Sequence, residues 1–241
     1  MRLARIRRWV VRPCLVPLLA ALGFLGWNLA TGNFATVRPG RVYRSGQLRA
    51  ADLGRIVRDE GIRTVLNLRG AHSEQAWYRA ERGAALGAGA TQIDMAMSSC
   101  EWMSRDQARM LVRVLDTCEY PLLVHCRRGA ERTGWVSAIT ELLRPGGTLE
   151  DARGQFSLRY LFVRAGDGAI MRDHLDRYEG WLRERGSGHT PAQFRRWVAA
   201  GFRPGRPGRE QWPFDPYPLV VISHPAPPAA RLAAGDPGER R

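Results

Sequence analysis

Apolar residues follow two alternating rhythms along the chain, short continuous runs and longer segments with a helical repeat. The runs Val42-Tyr43-Arg44, Thr64-Val65-Leu66-Asn67-Leu68, Ala90 to Met97 and Pro121-Leu122-Leu123-Val124 read as strands. Between them lie helical patterns. Residues 50–60 carry Leu53, Ile56 and Val57, and residues 73–86 carry Trp77, Tyr78 and Glu81 in their middle. A third helix, N-capped by Ser104 and running to about Cys118, buries Met110, Leu111, Val114 and Leu115. A fourth begins near Arg132, with Trp135, Val136, Ile139, Leu142 and Leu143 at helical spacing. Pro145-Gly146-Gly147 ends it, and Thr148-Leu149-Glu150-Asp151 has the form of a capping box for a helix over 152–160. Ile170, Met171, His174, Leu175, Tyr178, Trp181 and Leu182 then mark a helix that packs back on the core, with His174 at the core edge. This alternation predicts an α/β fold with a central, mainly parallel sheet flanked by helices. Asn67 and Arg69 emerge at the carboxyl end of their strand, where such sheets bind ligands.

The two ends break the rhythm. Arg2, Arg5, Arg7 and Arg8 precede the stretch Trp9 to Ala30, in which Arg12 is the only charge. That length suits a short membrane span or a signal-peptide core. No Ala-x-Ala site follows it, so residues 1–31 read as an uncleaved signal anchor, a transmembrane helix in the inner membrane. The arginine flank keeps the N-terminus cytoplasmic and places the rest of the chain outside, in the periplasm. Residues 31–40 read as a linker. After residue 185 comes a C-terminal extension over 186–224, with one short helix around Phe194, Trp197 and Val198. The extension also holds a basic turn-rich linker, Arg203 to Arg209, and an extended arm, Trp212 to Pro218. The Pro/Ala/Arg-rich residues 225–241 read as a disordered tail.

Composition adds constraints. The chain has 241 residues, 44% of them apolar, enough for one packed domain with appendages. The net charge of +14 comes entirely from arginine, since no lysine occurs, which points to a GC-rich genome's bias. Anionic partners fit this charge, but no nucleic-acid recognition motif accompanies it, and no nucleic-acid partner is expected. The four cysteines, Cys14, Cys100, Cys118 and Cys126, match neither a zinc site nor a disulfide framework. Cys100 and Cys118 read as unpaired structural thiols, with a role in protecting oxidised Cys126 as the alternative.

The chemistry gathers at His125-Cys126-Arg127-Arg128-Gly129-Ala130-Glu131-Arg132-Thr133-Gly134, on a loop between a strand and a helix N-terminus. Such a loop turns backbone N–H groups inward, and the helix dipole adds partial positive charge, so the nest holds a phosphate-sized dianion. The N–H groups of Arg127, Arg128, Gly129, Ala130, Glu131 and Arg132 line it. Arg132 presents a guanidinium fork to two phosphate oxygens. The same field makes Cys126 a thiolate nucleophile, and a Thr133 hydroxyl bond makes it a better leaving group. Arg69 is a candidate second anion contact.

His125-Cys126-x5-Arg132-Thr133-Gly134 resembles the signature of the cysteine-dependent protein tyrosine and dual-specificity phosphatases. The run Tyr43-Arg44-Ser45-Gly46-Gln47 resembles the opening of the bacterial and plant-fungal atypical members, and the resemblance covers residues 38–185. It implies a phosphatase in which Cys126 attacks phosphorus, Arg132 binds the phosphoryl group, and water hydrolyses a phosphocysteine. His125 orients the loop by hydrogen bonding. Phosphotyrosine or dual-specificity protein substrates are expected, with phosphoinositide or phospholipid headgroups as the alternative. The family places an aspartate on a mobile general-acid loop, but Met97-Ser98-Ser99-Cys100-Glu101-Trp102 has none; Glu101 is the first candidate to substitute, with Glu131 inside the phosphate loop as the alternative. Without a proton donor the chain would be a phosphate-binding pseudophosphatase; rhodanese-type sulfur transfer is disfavoured by the Arg-Thr-Gly continuation. No metal or cofactor is needed, because the loop neutralises the phosphate charge.

Overall fold

The structure, a computed structural model, describes the backbone of residues 2–203 and 220–225, and the side chains of these except 2–14 and 167. The expected linker beyond Arg203, the Trp212 to Pro218 arm and the tail beyond Pro225 lie outside the described residues.

Helix α1 (Arg2–Ala30) leads into strands β1 (Ala35–Arg38) and β2 (Val42–Ser45). The chain then alternates: α2 (Ala50–Asp59), β3 (Thr64–Asn67), α3 (Ala76–Gly87), β4 (Thr91–Met95), α4 (Arg105–Thr117), β5 (Leu122–His125) and α5 (Glu131–Leu143). Helices α6 (Leu149–Gly154), α7 (Ala169–Glu184) and α8 (Pro191–Arg196) follow, and β6 (Val220–Ser223) closes the series. The sheet order is β1-β2-β5-β3-β4-β6. Strands β2, β5, β3 and β4 are parallel, while β1 and β6 are antiparallel edges.

Side-chain alternation along each parallel strand feeds two layers. Leu66, Leu122 and Val124 pack with Leu111, Trp135, Ile139 and Leu175 of α4, α5 and α7 on one face. Val65 and Leu123 pack with Leu53, Val57 and Ala85 of α2 and α3 on the other. The parallel strands β2, β3 and β5 are buried at every position, as the continuous apolar runs require. Ser104 caps α4 through a full capping box with Gln107, and Thr148 does the same for α6 with Asp151. Helix α6 stops at Gly154, short of the expected residue 160, and a separate 3-10 turn at Leu158–Tyr160 ends with Leu161 at φ 59°.

Two strands lie where the sequence reads as linker or extension. β1 pairs with β2 from within residues 31–40, and β6 pairs with β4 from the C-terminal extension. Phe194, Trp197 and Phe202 of that extension are buried in the main core.

The transmembrane helix expected over residues 1–31 is corrected: among the described residues, no helix is long and apolar enough to cross a membrane. The turn that follows α1 is tied to the domain: the Gly32 carbonyl accepts the Gly46 N–H at 2.7 Å, and Asn33 Nδ2 donates to the carbonyls of Arg128 and Tyr160, each at 3.0 Å. Asn28 is buried, donates to the Phe24 carbonyl at 2.8 Å, and its own carbonyl accepts the Asn33 N–H at 2.7 Å. Membrane anchoring through this helix goes with it, and the extracytoplasmic placement rests on that span alone.

Candidate active site

β5 delivers Cys126 to the carboxyl end of the sheet, between β2 and β3 and at the mouth of α5. What shapes the following loop is the fate of its carbonyls. The Arg127 carbonyl accepts the Gln47 N–H at 3.1 Å, the Arg128 carbonyl accepts Asn33 Nδ2 at 3.0 Å, and the Gly129 carbonyl accepts Arg44 Nη2 at 2.8 Å. Three successive carbonyls held from outside turn the intervening N–H groups inward, toward the thiol. One of them, the Gly129 N–H, donates to the Cys126 sulfur at 3.3 Å. Gly129 adopts φ 74°, and a Cβ there would lie 2.6 Å from the Gly46 nitrogen, so the loop requires glycine at this point.

Cys126 is 1% exposed. Burial pushes its thiol up, yet the Arg132 charge, the Thr133 hydroxyl and N–H, and the Gly129 N–H together bring it below the ordinary cysteine value. The Thr133 hydroxyl also lies 3.4 Å from the Ser45 carbonyl, a long contact. It can donate to only one acceptor, and the charged sulfur is the stronger.

Arg132 is half-buried. Its Nη1 donates to the carbonyls of Leu68 at 3.2 Å and Met97 at 2.9 Å, the exits of β3 and β4. Its Nε is buried with no acceptor in the protein, a donor left for a ligand oxygen. Arg69 emerges from β3 beside it and feels the charges of Arg132, Arg127 and Cys126. Its guanidinium lies 3.5 Å over the Trp77 ring and donates to Gln47 Oε1 at 2.7 Å. Arg127 and Arg128 are exposed at the rim.

Residues 25–144 match the profile described as the tyrosine phosphatase family. The chain belongs to this family. No curated protein sequence matches it. Among solved structures it is similar to P. aeruginosa TpbA, at 18% identity, with 60% of this chain and 86% of that one covered and a TM-score of 0.45. It is also similar to the core catalytic domain of the PP-IP phosphatase SIW14 from S. cerevisiae, at 21% identity, covering 63% and 93%, with a TM-score of 0.44.

In this tyrosine phosphatase family member, Cys126, Gly129, Ala130, Arg132 and Thr133 converge on one loop, with Arg69 alongside. His125 is 2% exposed and forms an ion pair with Glu81, Nε2 to Oε1 at 3.2 Å. Glu131 opens α5, and its side chain packs against the turn at Gly168. Glu101 is exposed on the bend between β4 and α4. The residues just after it are fixed: the Trp102 ring lies tilted 4.7 Å from that of His174, the Arg177 guanidinium lies 3.9 Å over Trp102, and the Met103 N–H donates to His174 Nε2 at 3.2 Å. Cys100 is exposed and Cys118 half-buried, both free. Among the described residues, no cluster of three or more His, Cys, Asp or Glu side chains is placed to hold a metal ion.

Asn33, Arg44, Gln47 and Glu81 serve the loop without standing in its motif. The signal for Arg44 and Gln47 was the Tyr43-to-Gln47 run, and for Glu81 a carboxylate among the apolar positions of an amphipathic helix. Nothing local marks Asn33.

Proposed function

We propose that the protein hydrolyses phosphate monoesters through a phosphocysteine, with phosphotyrosine or dual-specificity protein substrates. The observation that supports this most is a buried thiol held below its ordinary pKa inside a nest of inward amides, facing an arginine with a free buried Nε.

The substrate phosphoryl group sits in the nest, its oxygens on the N–H groups of residues 127–132 and on Arg132. The Cys126 thiolate attacks phosphorus in line, and the S–P bond forms as the ester P–O bond breaks. The leaving oxygen takes a proton from Glu101, carried on the loop between β4 and α4. Water then attacks phosphorus, releasing phosphate, and Thr133 stabilises the departing thiolate.

Cys126→Ser tests this. Turnover of p-nitrophenyl phosphate is lost while orthovanadate binding remains. Full hydrolysis in that variant rules the mechanism out.

Arg69, Arg127 and Arg128 around the nest favour a second reading, a substrate with several phosphates such as a phosphoinositide headgroup. The two readings separate in kcat/KM for a phosphotyrosine peptide against a bisphosphorylated inositol headgroup, measured at two salt concentrations.

A further inference from the structure

Glu81 lies in the middle of α3 with 2% exposure, at a position where an amphipathic helix ordinarily buries an apolar side chain. Burying a carboxylate is costly unless its oxygens are paired. Here Oε2 accepts a hydrogen bond from Gln47 Nε2, while Oε1 lies 3.2 Å from His125 Nε2 as an ion pair without hydrogen-bond geometry, so its compensation requires a charged imidazole. The contacts continue on both sides. His125 immediately precedes the nucleophile. Gln47 accepts Arg69 Nη1 on its Oε1 and, through its backbone N–H, holds the Arg127 carbonyl. Trp77, one helical turn before Glu81 on the same face of α3, carries the Arg69 guanidinium. One buried carboxylate therefore touches the exits of β2 and β5 and reaches that of β3 through Gln47.

We propose that Glu81 is a positioning residue: it keeps His125 protonated beside Cys126 and, through Gln47, aims Arg69 at the substrate. The proposal rests on Cys126 being the nucleophile. Pairing supports the charge assignment. Burial alone would deprotonate His125, but Glu81 raises it above its ordinary value, and Cys126 adds to the rise. Burial raises the Glu81 carboxyl, but His125, Gln47 and Arg69 bring it below the ordinary range. The groups facing this pair are Arg69 and Tyr78 at Glu81, and Arg44, Arg69, Arg132 and the Thr133 hydroxyl at Cys126.

Replacing Glu81 by glutamine removes the group that keeps a buried imidazole charged, so His125 becomes neutral and the thiolate loses a neighbouring cation. If His125 stayed protonated, loss of the carboxylate would instead make the thiol more acidic.

The test is iodoacetamide labelling of Cys126 as a function of pH, read by mass spectrometry on the full chain. Glu81→Gln is expected to raise the labelling midpoint by about one pH unit. His125→Asn raises it as well, and adding Glu81→Gln to His125→Asn moves it no further. Gln47→Leu removes the hydrogen bonds to both Arg69 and Glu81 and is expected to raise KM for p-nitrophenyl phosphate by roughly three- to tenfold. A midpoint unmoved or lowered by Glu81→Gln, or a shift that adds in full to that of His125→Asn, overturns the proposal. Should Glu81→Gln not fold, Glu81→Asp decides: a raised midpoint supports the proposal and an unmoved one overturns it. Orthovanadate protection of Cys126 in the unmodified protein tests the nucleophile assignment separately, since its failure leaves the midpoint comparison intact.

Discussion

Arg44 donates from Nη2 to the Gly129 carbonyl at 2.8 Å, from a position with no solvent exposure at all. Its Nη1 is shared between the backbone and side-chain oxygens of Gln155, each at 2.9 Å, and its guanidinium lies 3.7 Å over the Tyr160 ring. Desolvation pulls its pKa down to about 10 against the attraction of Tyr160 and Cys126. Arg44 thus ties β2, the catalytic loop and the segment after α6 into one unit. Arg44→Met keeps the volume and removes the donors. It is expected to lower unfolding stability by about 2–4 kcal/mol, because three acceptors lose their partner. Urea denaturation measures that loss, and kcat/KM for p-nitrophenyl phosphate should fall with it as the Gly129 carbonyl swings free.

Gly129 is the loop position least able to change. Its φ of 74° and the 2.6 Å separation that a Cβ here would have from the Gly46 nitrogen act together. Gly129→Ala should cost at least ~1 kcal/mol in thermal unfolding and a far larger share of turnover, since the Gly129 N–H to sulfur contact is lost. An alanine variant with full activity would refute the loop geometry.

Cys126 and Cys118 are set apart by their surroundings. Arg132, Thr133 and the loop amides overcome burial to hold the Cys126 thiol low, whereas burial raises Cys118 to about 11. Alkylation at neutral pH should therefore mark Cys126 well before Cys118. On acidification, Cys126 labelling falls away as its thiolate is protonated, and Cys118 stays unlabelled until strongly alkaline pH. Peptide mapping after timed iodoacetamide exposure checks the order.

His174 is a neutral core residue. It stacks against Trp135 and Phe202, meets Trp102 at a tilt, donates from Nδ1 to the Ile170 carbonyl at 2.7 Å and accepts the Met103 N–H on Nε2. Burial pushes its pKa down from 6.5 to about 3. The unfolded chain binds this proton more readily than the folded one, so His174 favours folding above pH 6.5 and that contribution is lost as pH falls toward 3. Melting temperature should drop across this window, and His174→Gln should flatten the drop.

Glu101 is the proposed proton donor. Glu101→Gln should reduce hydrolysis of phosphoserine peptides by about 10²-fold or more, and of p-nitrophenyl phosphate much less, because nitrophenolate leaves without a proton. Equal losses on both substrates would assign Glu101 another role.

The parallel strands, the Ser104 and Thr148 caps and the Cys126-to-Thr133 loop were legible because each is written in adjacent residues. β3 lies beside β5, and Arg69 emerges next to Arg132, as the alternation of strand and helix implied. β1 and β6 were not legible. Both are short antiparallel edges whose pairing depends on partners elsewhere in the sheet rather than on a local repeat. Glu81 was visible as a helix residue but not as a partner of His125, 44 positions later, because a contact between distant segments leaves no local spacing. The apolar N-terminal run was read by composition alone, and the hydrogen bonds that bind Asn33 to the domain carry no periodicity.

The loop carbonyls at 127, 128 and 129 are gripped by residues 47, 33 and 44, each separated from them by some eighty or more positions. Such long closures form late when a chain collapses. An acidic thiol in this protein is then a readout of completed folding: a nascent or partly melted chain would carry Cys126 as an ordinary, sluggish thiol. Electrophile reactivity at neutral pH would thus distinguish mature molecules from immature ones in a single sample.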